Sequence, residues 1–120
     1  MALKKILIAD DSPTEMNFMK APFMEAGYQV ATASDGQEAL TLAGQQEFDL
    51  VVLDVVMPKL NGFQACRKIK DLKPKLPIIL LTSKNQKSDE FWGKKQGADV
   101  YMTKPFDADA LMENANRLMA

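Results

Sequence analysis

The chain has 120 residues, of which 47% are hydrophobic and 26% are charged, and its formal net charge is −1. This composition is typical of one globular domain, and the near-neutral charge argues against nucleic acid or an anionic membrane as a partner. The sequence has no histidine and one cysteine, Cys66, which excludes histidine-based catalytic triads, histidine metal ligands and an internal disulfide.

Five short apolar segments alternate with helix-like segments along the chain. Two of them, LVVLDVV and PIILLTS, are almost continuously apolar, as expected for strands of a parallel sheet covered on both faces. The predicted strands are Lys4–Ala9, Gln29–Ala33, Leu50–Leu53, Ile78–Thr82 and Val100–Thr103.

Capping residues mark helices between these strands. The stretch Ser12-Pro13-Thr14-Glu15 has an N-cap serine, a proline at the first helical position and a glutamate three residues after the cap, which predicts a capping box. Pro22 lies inside this first helix and predicts a kink or an early break. The other helices are expected to begin at caps or first residues Ser34–Asp35, Asn61, Ser88 and Asp107, and C-terminal caps are expected at Gly27 and Gly97.

Five βα units with short connections predict an α/β fold: a doubly wound, five-stranded parallel sheet with helices on both faces. Ligands of such sheets bind beyond the carboxyl ends of the strands, where the strand order reverses. If the order is 2-1-3-4-5, the reversal lies between the first and third strands. The residues that follow or end the strands would then meet in one crevice: Asp10, Asp11, Asp54, Thr82 and Lys104.

Three adjacent carboxylates repel one another and cost desolvation energy unless a cation offsets their charge. Asp10, Asp11 and Asp54 suit Mg²⁺, which binds through few carboxylates, keeps several waters and accepts a phosphate oxygen as a ligand. Lys104 and Thr82 would supply a cation and a hydroxyl donor for further phosphoryl oxygens. The sequence therefore predicts a site that holds a phosphoryl group on or near Asp54.

Four stretches carry a family resemblance in the same order along the chain: ILIADDSPTE, LVVLDVVMPKLNGF, PIILLTS and GADVYMTKPF. Together they resemble the receiver domain of two-component response regulators, which has the CheY-like fold and the strand order 2-1-3-4-5. The resemblance covers residues 1–120 and implies a single receiver domain with no output domain. Shorter pieces, DDSPTEM, MPKLNGFQACR and FWGKKQGA, resemble regulators of type IV pilus, twitching-motility chemosensory systems.

The resemblance implies that Asp54 is the phosphorylation site. Its donor would be the phosphohistidine of a histidine kinase or of a histidine phosphotransfer (Hpt) protein. Asp11, Asp54 and the backbone carbonyl of Val56 would bind Mg²⁺ directly, and Asp10 would act through water. Such a protein is a switch rather than an enzyme, because it catalyses only its own phosphorylation and dephosphorylation.

The same resemblance assigns the switch residues. Lys104 would pair with the acyl phosphate, and the Lys104–Pro105 bond would be cis. Thr82 would move to hydrogen-bond the phosphoryl group, and Tyr101 would follow it inward. A downstream protein would bind the face formed by the fourth helix, fifth strand and fifth helix, and we expect the protein to be cytoplasmic.

Three alternative functions fit the sequence less well. A Mg²⁺-dependent aspartyl-phosphate phosphatase of the haloacid-dehalogenase type needs a second acid two residues after the nucleophile, where this chain has Val56. A flavodoxin-like flavin binder needs a phosphate loop rich in serine, threonine and glycine, where this chain has ADDSPTE. A pseudo-receiver that serves only as a docking module is disfavoured because the acidic set is complete.

Overall fold

Five parallel strands form the central sheet of the computed structural model, which describes residues 3–120. The strands and helices alternate along the chain in the order β1 (Lys5–Ala9), α1 (Pro13–Glu25), β2 (Gln29–Ala33), α2 (Gly36–Gln45), β3 (Leu50–Leu53), α3 (Gly62–Leu72), β4 (Ile78–Thr82), α4 (Lys87–Lys95), β5 (Val100–Thr103) and α5 (Ala108–Met119). The strand order is β2-β1-β3-β4-β5, and every neighbouring pair is parallel. This confirms the predicted doubly wound sheet.

Two predicted element starts differ from the structure by one residue. β1 begins at Lys5 rather than Lys4. α4 begins at Lys87 rather than Ser88. The carboxylate of Asp89 accepts a hydrogen bond from the backbone N–H of Gln86 at 3.3 Å. This contact places the N-cap at Gln86, so the helix starts one residue nearer the N-terminus than predicted. Gly27 and Gly97 follow α1 and α4 with φ angles of 85° and 103°, as their predicted role as C-terminal caps requires.

The predicted early break at Pro22 is wrong, because α1 continues through it to Glu25. A proline inside a helix costs about 3 kcal/mol through the missing hydrogen bond and the steric clash with the preceding turn. Packing opposes that cost, since Met16, Met19 and Phe23 are buried against one face of the sheet. Tertiary packing therefore stabilises the helix enough for it to continue through Pro22.

The two faces of the sheet have separate cores because successive strand residues point to opposite sides. On one face, Leu7 and Leu53 pack with buried residues of α2 and α3. On the other face, Ile8 and Val52 pack with buried residues of α1 and α5. None of the helices within residues 3–120 combines the length and apolarity needed to cross a membrane.

The register of the central strands sets the position of the acidic residues. Ala9 of β1 pairs with Leu53 of β3, so the next residues, Asp10 and Asp54, leave the sheet at the same level. The backbone N–H of Asp54 donates to the carbonyl of Ala9 at 2.9 Å, which extends the pairing by one residue. The N–H of Asp10 similarly donates to the carbonyl of Ala33 at 3.1 Å. The backbone therefore holds both carboxylates at the carboxyl edge of the sheet.

Candidate functional site

Three carboxylates form the centre of the candidate site. One carboxylate oxygen from each of Asp10, Asp11 and Asp54 lies within 4.8 Å of the other two. Asp10 is 2% exposed and Asp54 is 7% exposed, whereas Asp11 lies on the surface. The cluster therefore has two buried carboxylates and a third that faces solvent.

This donor set fits a Mg²⁺ ion. The ion takes oxygen ligands at about 2.0–2.1 Å in octahedral geometry, so ligands on opposite sides of it lie about 4.2 Å apart. One oxygen of each carboxylate lies within 4.8 Å of the other two, so all three can reach a common ion or the waters that it carries. The exposed side of the cluster, at Asp11, leaves room for the waters that Mg²⁺ retains.

Lys104 brings a positive charge into the acidic cluster. Its Nζ lies 2.7 Å from Oδ2 of Asp10, 3.5 Å from Oδ2 of Asp54 and 3.9 Å from Oε1 of Glu15. Burial alone would lower the pKa of Lys104, but the hydrogen bond that it donates to Asp10 and the charges of the three carboxylates outweigh burial and raise that pKa. The lysine therefore remains an ammonium ion although its side chain is only 10% exposed. The Lys104–Pro105 peptide bond is cis.

The carboxylate of Asp54 is oriented by backbone N–H groups of the loop that follows β3. Its Oδ1 accepts hydrogen bonds from the backbone N–H groups of Val55 at 2.7 Å and Val56 at 3.4 Å. Gly62 closes this loop by donating its N–H to the carbonyl of Val55 at 2.8 Å. A Cβ atom at Gly62 would lie 2.1 Å from the backbone oxygen of Asp54, so any larger residue there would displace the loop.

The start of α2 borders the same loop. Asp35 caps α2 by accepting the backbone N–H of Glu38 at 2.7 Å, and Lys59 of the β3–α3 loop lies 3.6 Å from its carboxylate. Lys59 has a φ of 69°, a left-handed conformation that is uncommon outside glycine. The hydrogen bond from Glu38 and, after it, the charge of Lys59 lower the pKa of Asp35.

Thr82 ends β4, Tyr101 lies in β5, and both side chains contact the backbone of Lys84. Thr82 is fully buried, and its Oγ1 accepts the N–H of Lys84 at 3.3 Å. The hydroxyl of Tyr101 donates to the carbonyl of Lys84 at 2.8 Å. Burial, followed by the charges of Asp89, Glu90 and Asp54, raises the pKa of Tyr101 to about 12. Sequence reasoning did not anticipate that one peptide segment would join the two predicted switch residues.

Glu15 is the site residue that sequence reasoning missed. The predicted capping box forms only in part: the side chain of Ser12 accepts the N–H of Glu15 at 3.3 Å, as expected. The N–H of Ser12, however, donates to Oδ1 of Asp10 at 2.9 Å rather than to Glu15. The carboxylate of Glu15 points instead toward Lys104. The signal in the sequence was the capping motif itself, which directly follows the aspartate pair.

A groove of about 650 Å³ borders the site between α1 and the residues after β5. Glu15 and Lys104 lie on it together with apolar residues of both segments, among them Phe18, Pro22 and Phe106. The side chain of Phe18 is 61% exposed. Pro22, for which the sequence suggests no function, thus forms part of a surface that leads to the charged site.

Known proteins resemble this chain in both sequence and fold. The model of the response regulator receiver domain matches residues 6–116. Protein PilH of Pseudomonas aeruginosa is 45% identical over 120 residues, an alignment that covers 98% of this chain and 99% of PilH. The chain spans about half the length of several other curated relatives, for example 43% and 48% of two of them.

Solved structures agree with this assignment. A CheY-like receiver domain protein from Methanospirillum hungatei superposes with a TM-score of 0.93 at 27% identity, covering 98% of this chain and 94% of its own. The receiver domain of the sensor histidine kinase PA1611 from Pseudomonas aeruginosa has a TM-score of 0.91 at 29% identity and covers 98% of both chains. That structure holds a magnesium ion coordinated in its active-site cleft. On its fold, its acidic site and these matches, the chain belongs to the response regulator receiver domains, the signalling modules of two-component systems.

Proposed function

We propose that this chain is a phosphoacceptor switch that takes a phosphoryl group onto Asp54 from the phosphohistidine of a histidine kinase or Hpt protein. The observation that carries the proposal is the position of Lys104, whose ammonium lies between Asp10 and Asp54 at 2.7 and 3.5 Å. A lysine so placed balances carboxylates at rest and is ready to bind added phosphoryl oxygens. The donor histidine has to lie outside these 120 residues, because they contain none.

In the proposed reaction, an oxygen of the Asp54 carboxylate forms a bond to phosphorus as the phosphorus–nitrogen bond of the donor breaks. The electron pair of the broken bond leaves with the imidazole nitrogen of the donor. Such a transfer needs little acid–base chemistry and depends on positioning and charge neutralisation. Here the backbone N–H groups of Val55 and Val56 orient the Asp54 carboxylate, and Lys104 supplies a compensating charge.

Mg²⁺ is the proposed cofactor, with Asp11, Asp54 and the backbone carbonyl of Val56 as direct ligands and Asp10 acting through water. The support is the chemistry of the donor set, three carboxylates whose oxygens lie within 4.8 Å of one another. When bound, the ion would neutralise charge that develops on the phosphoryl oxygens.

The proposed output is a change in protein binding on the face formed by α4, β5 and α5. Thr82 would bond the phosphoryl group and release the N–H of Lys84, and Tyr101 would respond through the carbonyl of the same residue. Phe91 and Trp92 of α4 are 64% and 53% exposed, and exposed aromatic side chains often anchor protein partners. The likeness to PilH supports a role in a type IV pilus chemosensory system.

We further propose that these residues form one receiver domain, which acts in the cytoplasm and catalyses only its own phosphorylation and dephosphorylation. The single cysteine, which is buried and free, suits a reducing compartment.

Intact mass spectrometry after incubation with acetyl phosphate tests the proposal. We expect one added phosphoryl group in the presence of Mg²⁺ and none when the ion is chelated. Asp54→Asn should abolish the addition, whereas Asp71→Asn, an exposed acid near the end of α3, should leave it unchanged.

Because a short-lived adduct would escape this measurement, beryllofluoride binding in the presence of Mg²⁺ serves as a second readout. If the wild-type chain neither gains mass nor binds beryllofluoride, the chain is not a phosphoacceptor and the docking-module alternative replaces it.

A further inference from the structure

Glu15 stands at the rim of the acidic site because its usual capping partner is already taken. In a capping box, the N3 glutamate accepts the backbone N–H of the N-cap residue. Here that N–H, on Ser12, donates to Asp10 at 2.9 Å. The Glu15 side chain is left free to face Lys104 at 3.9 Å while remaining 42% exposed. The aspartate pair and the capping motif thus combine to place a fourth carboxylate beside the site.

The ammonium of Lys104 is shared unequally among its three carboxylate neighbours. Asp10 holds it most closely, and its distances to Asp54 and Glu15 are 3.5 and 3.9 Å. A phosphoryl group on Asp54 would add negative charge on the Asp54 side and draw the ammonium there. Any attraction from Glu15 opposes that movement, and the Glu15 carboxylate itself repels an arriving anion.

We infer that Glu15 is a positioning residue that competes with the phosphoryl group for Lys104 and thereby weakens the phosphorylated state. This inference rests on the proposed function and adds a residue to it. The Glu15 carboxylate pairs with Lys104, so its influence passes through the lysine and through its own charge. The exposed position of Glu15 limits its effect, because partly exposed ion pairs are screened by water and salt.

The test is the affinity of the Mg²⁺-loaded protein for beryllofluoride, an anionic stand-in for the phosphoryl group, measured by isothermal titration calorimetry. The variant is Glu15→Gln, which keeps the shape of the side chain and removes its charge. We expect the variant to bind beryllofluoride about two- to fivefold more tightly than the wild type at low salt, the range set by partly exposed ion pairs. The difference should shrink at high salt, because the competing pair is partly exposed.

Glu25→Gln is the matched control. Glu25 lies on the same helix, lines the same groove and is exposed. Its substitution by glutamine changes the net charge by the same amount as Glu15→Gln. We expect it to leave beryllofluoride affinity unchanged. Thermal melting of each variant separates a change in folding from a change in binding, and a purely structural role for Glu15 would not produce a salt-dependent difference in affinity.

The outcomes separate this inference from the function on which it rests. If the wild type binds beryllofluoride and Glu15→Gln binds it equally or more weakly, the role of Glu15 is overturned and the phosphoacceptor function stands. If Glu25→Gln tightens binding as much as Glu15→Gln does, the effect is one of net charge and the role of Glu15 is again overturned. If the wild type does not bind beryllofluoride at all, the role of Glu15 is overturned, and the mass measurement with acetyl phosphate decides whether the phosphoacceptor function also fails.

Discussion

The ring of Tyr101 fills the space that a side chain at Gly93 would need. A Cβ atom at Gly93 would lie 2.8 Å from Cδ2 of Tyr101 and 2.9 Å from Cδ1 of Leu80. The ring is held in this place by the hydrogen bond from its hydroxyl to the carbonyl of Lys84. Glycine in the interior of α4 therefore permits the observed position of a predicted switch residue.

Gly93→Ala is expected to push the ring of Tyr101 away from α4 and toward solvent. The hydroxyl would lose its partner and its burial, so the pKa of Tyr101 should fall from about 12 toward the ordinary value of 10.0. Absorbance titration of the phenol measures this shift. A Tyr28→Phe background leaves Tyr101 as the only tyrosine, and circular dichroism verifies that the chain stays folded over the titrated range.

Gly44→Ala is the matched control for this substitution. Gly44 lies in α2, and a Cβ atom there would meet only Leu72 Cδ1 at 3.8 Å, an ordinary contact. This variant should gain up to about 1 kcal/mol from the higher helix propensity of alanine and leave Tyr101 unaffected. If Gly93→Ala behaves in the same way, with a stability gain and an unchanged phenol titration, the steric account of Gly93 is wrong.

Lys104→Ala is expected to destabilise the fold by roughly 1–3 kcal/mol in the absence of divalent ions, because it leaves the carboxylates of Asp10 and Asp54 without their cation. Mg²⁺ should recover part of this loss, so the ion should stabilise the variant more than the wild type. Urea denaturation with Mg²⁺ and with chelator measures both quantities.

Lys94→Ala supplies the comparison, since the pair of Lys94 with Glu90 is 57% and 49% exposed. That variant should lose less than about 0.5 kcal/mol with or without the ion. If Mg²⁺ raises the free energy of unfolding equally in the wild type and in Lys104→Ala, the lysine and the metal do not offset the same carboxylate charges.

Asp35→Asn is expected to make the stability of the protein less dependent on acid pH. The folded state lowers the pKa of Asp35 below 3.8 through the hydrogen bond from Glu38 and the charge of Lys59. The charge of Asp35 therefore contributes stability above pH 3.8, and this contribution is lost as the pH falls through the lower folded value. Asparagine keeps the cap acceptor without the charge.

Denaturation curves of wild type and Asp35→Asn from neutral to strongly acidic pH measure this effect. The wild type should be the more stable at neutral pH, and the two curves should converge in acid. A stability difference between the two proteins that does not change with pH would mean that the charge of Asp35 contributes nothing to stability.

Most of the architecture and the acidic centre could be predicted because they depend on local patterns. The apolar runs before Asp10 and Asp54 mark buried strands, and parallel pairing brings the carboxyl ends of such strands to one edge. The bounds of β2, β3, β4 and β5 were predicted correctly for the same reason. Asn61 likewise forms a complete capping box with Gln64.

The features that could not be predicted depend on contacts between distant segments. α1 passes Pro22 because residues on either side of it are buried against the sheet, which local propensity does not reveal. Glu15 turns toward Lys104 because Asp10 accepts the backbone N–H of Ser12, an outcome that needs the relative placement of β1, α1 and β5. Gly93 has no special signal in the sequence, since its role depends on the ring of Tyr101 across from it.

The pairing of β1 with β3 also has a consequence for the order of events during folding. Asp10 and Asp54 are 44 residues apart in the chain and are brought together by the Ala9–Leu53 register at the centre of the sheet. Neither strand alone carries the complete acidic cluster, so the proposed divalent-ion site is incomplete until the two central strands have paired. The time at which ion binding appears during refolding would therefore report when β1 pairs with β3, independently of how far the outer strands and helices have formed.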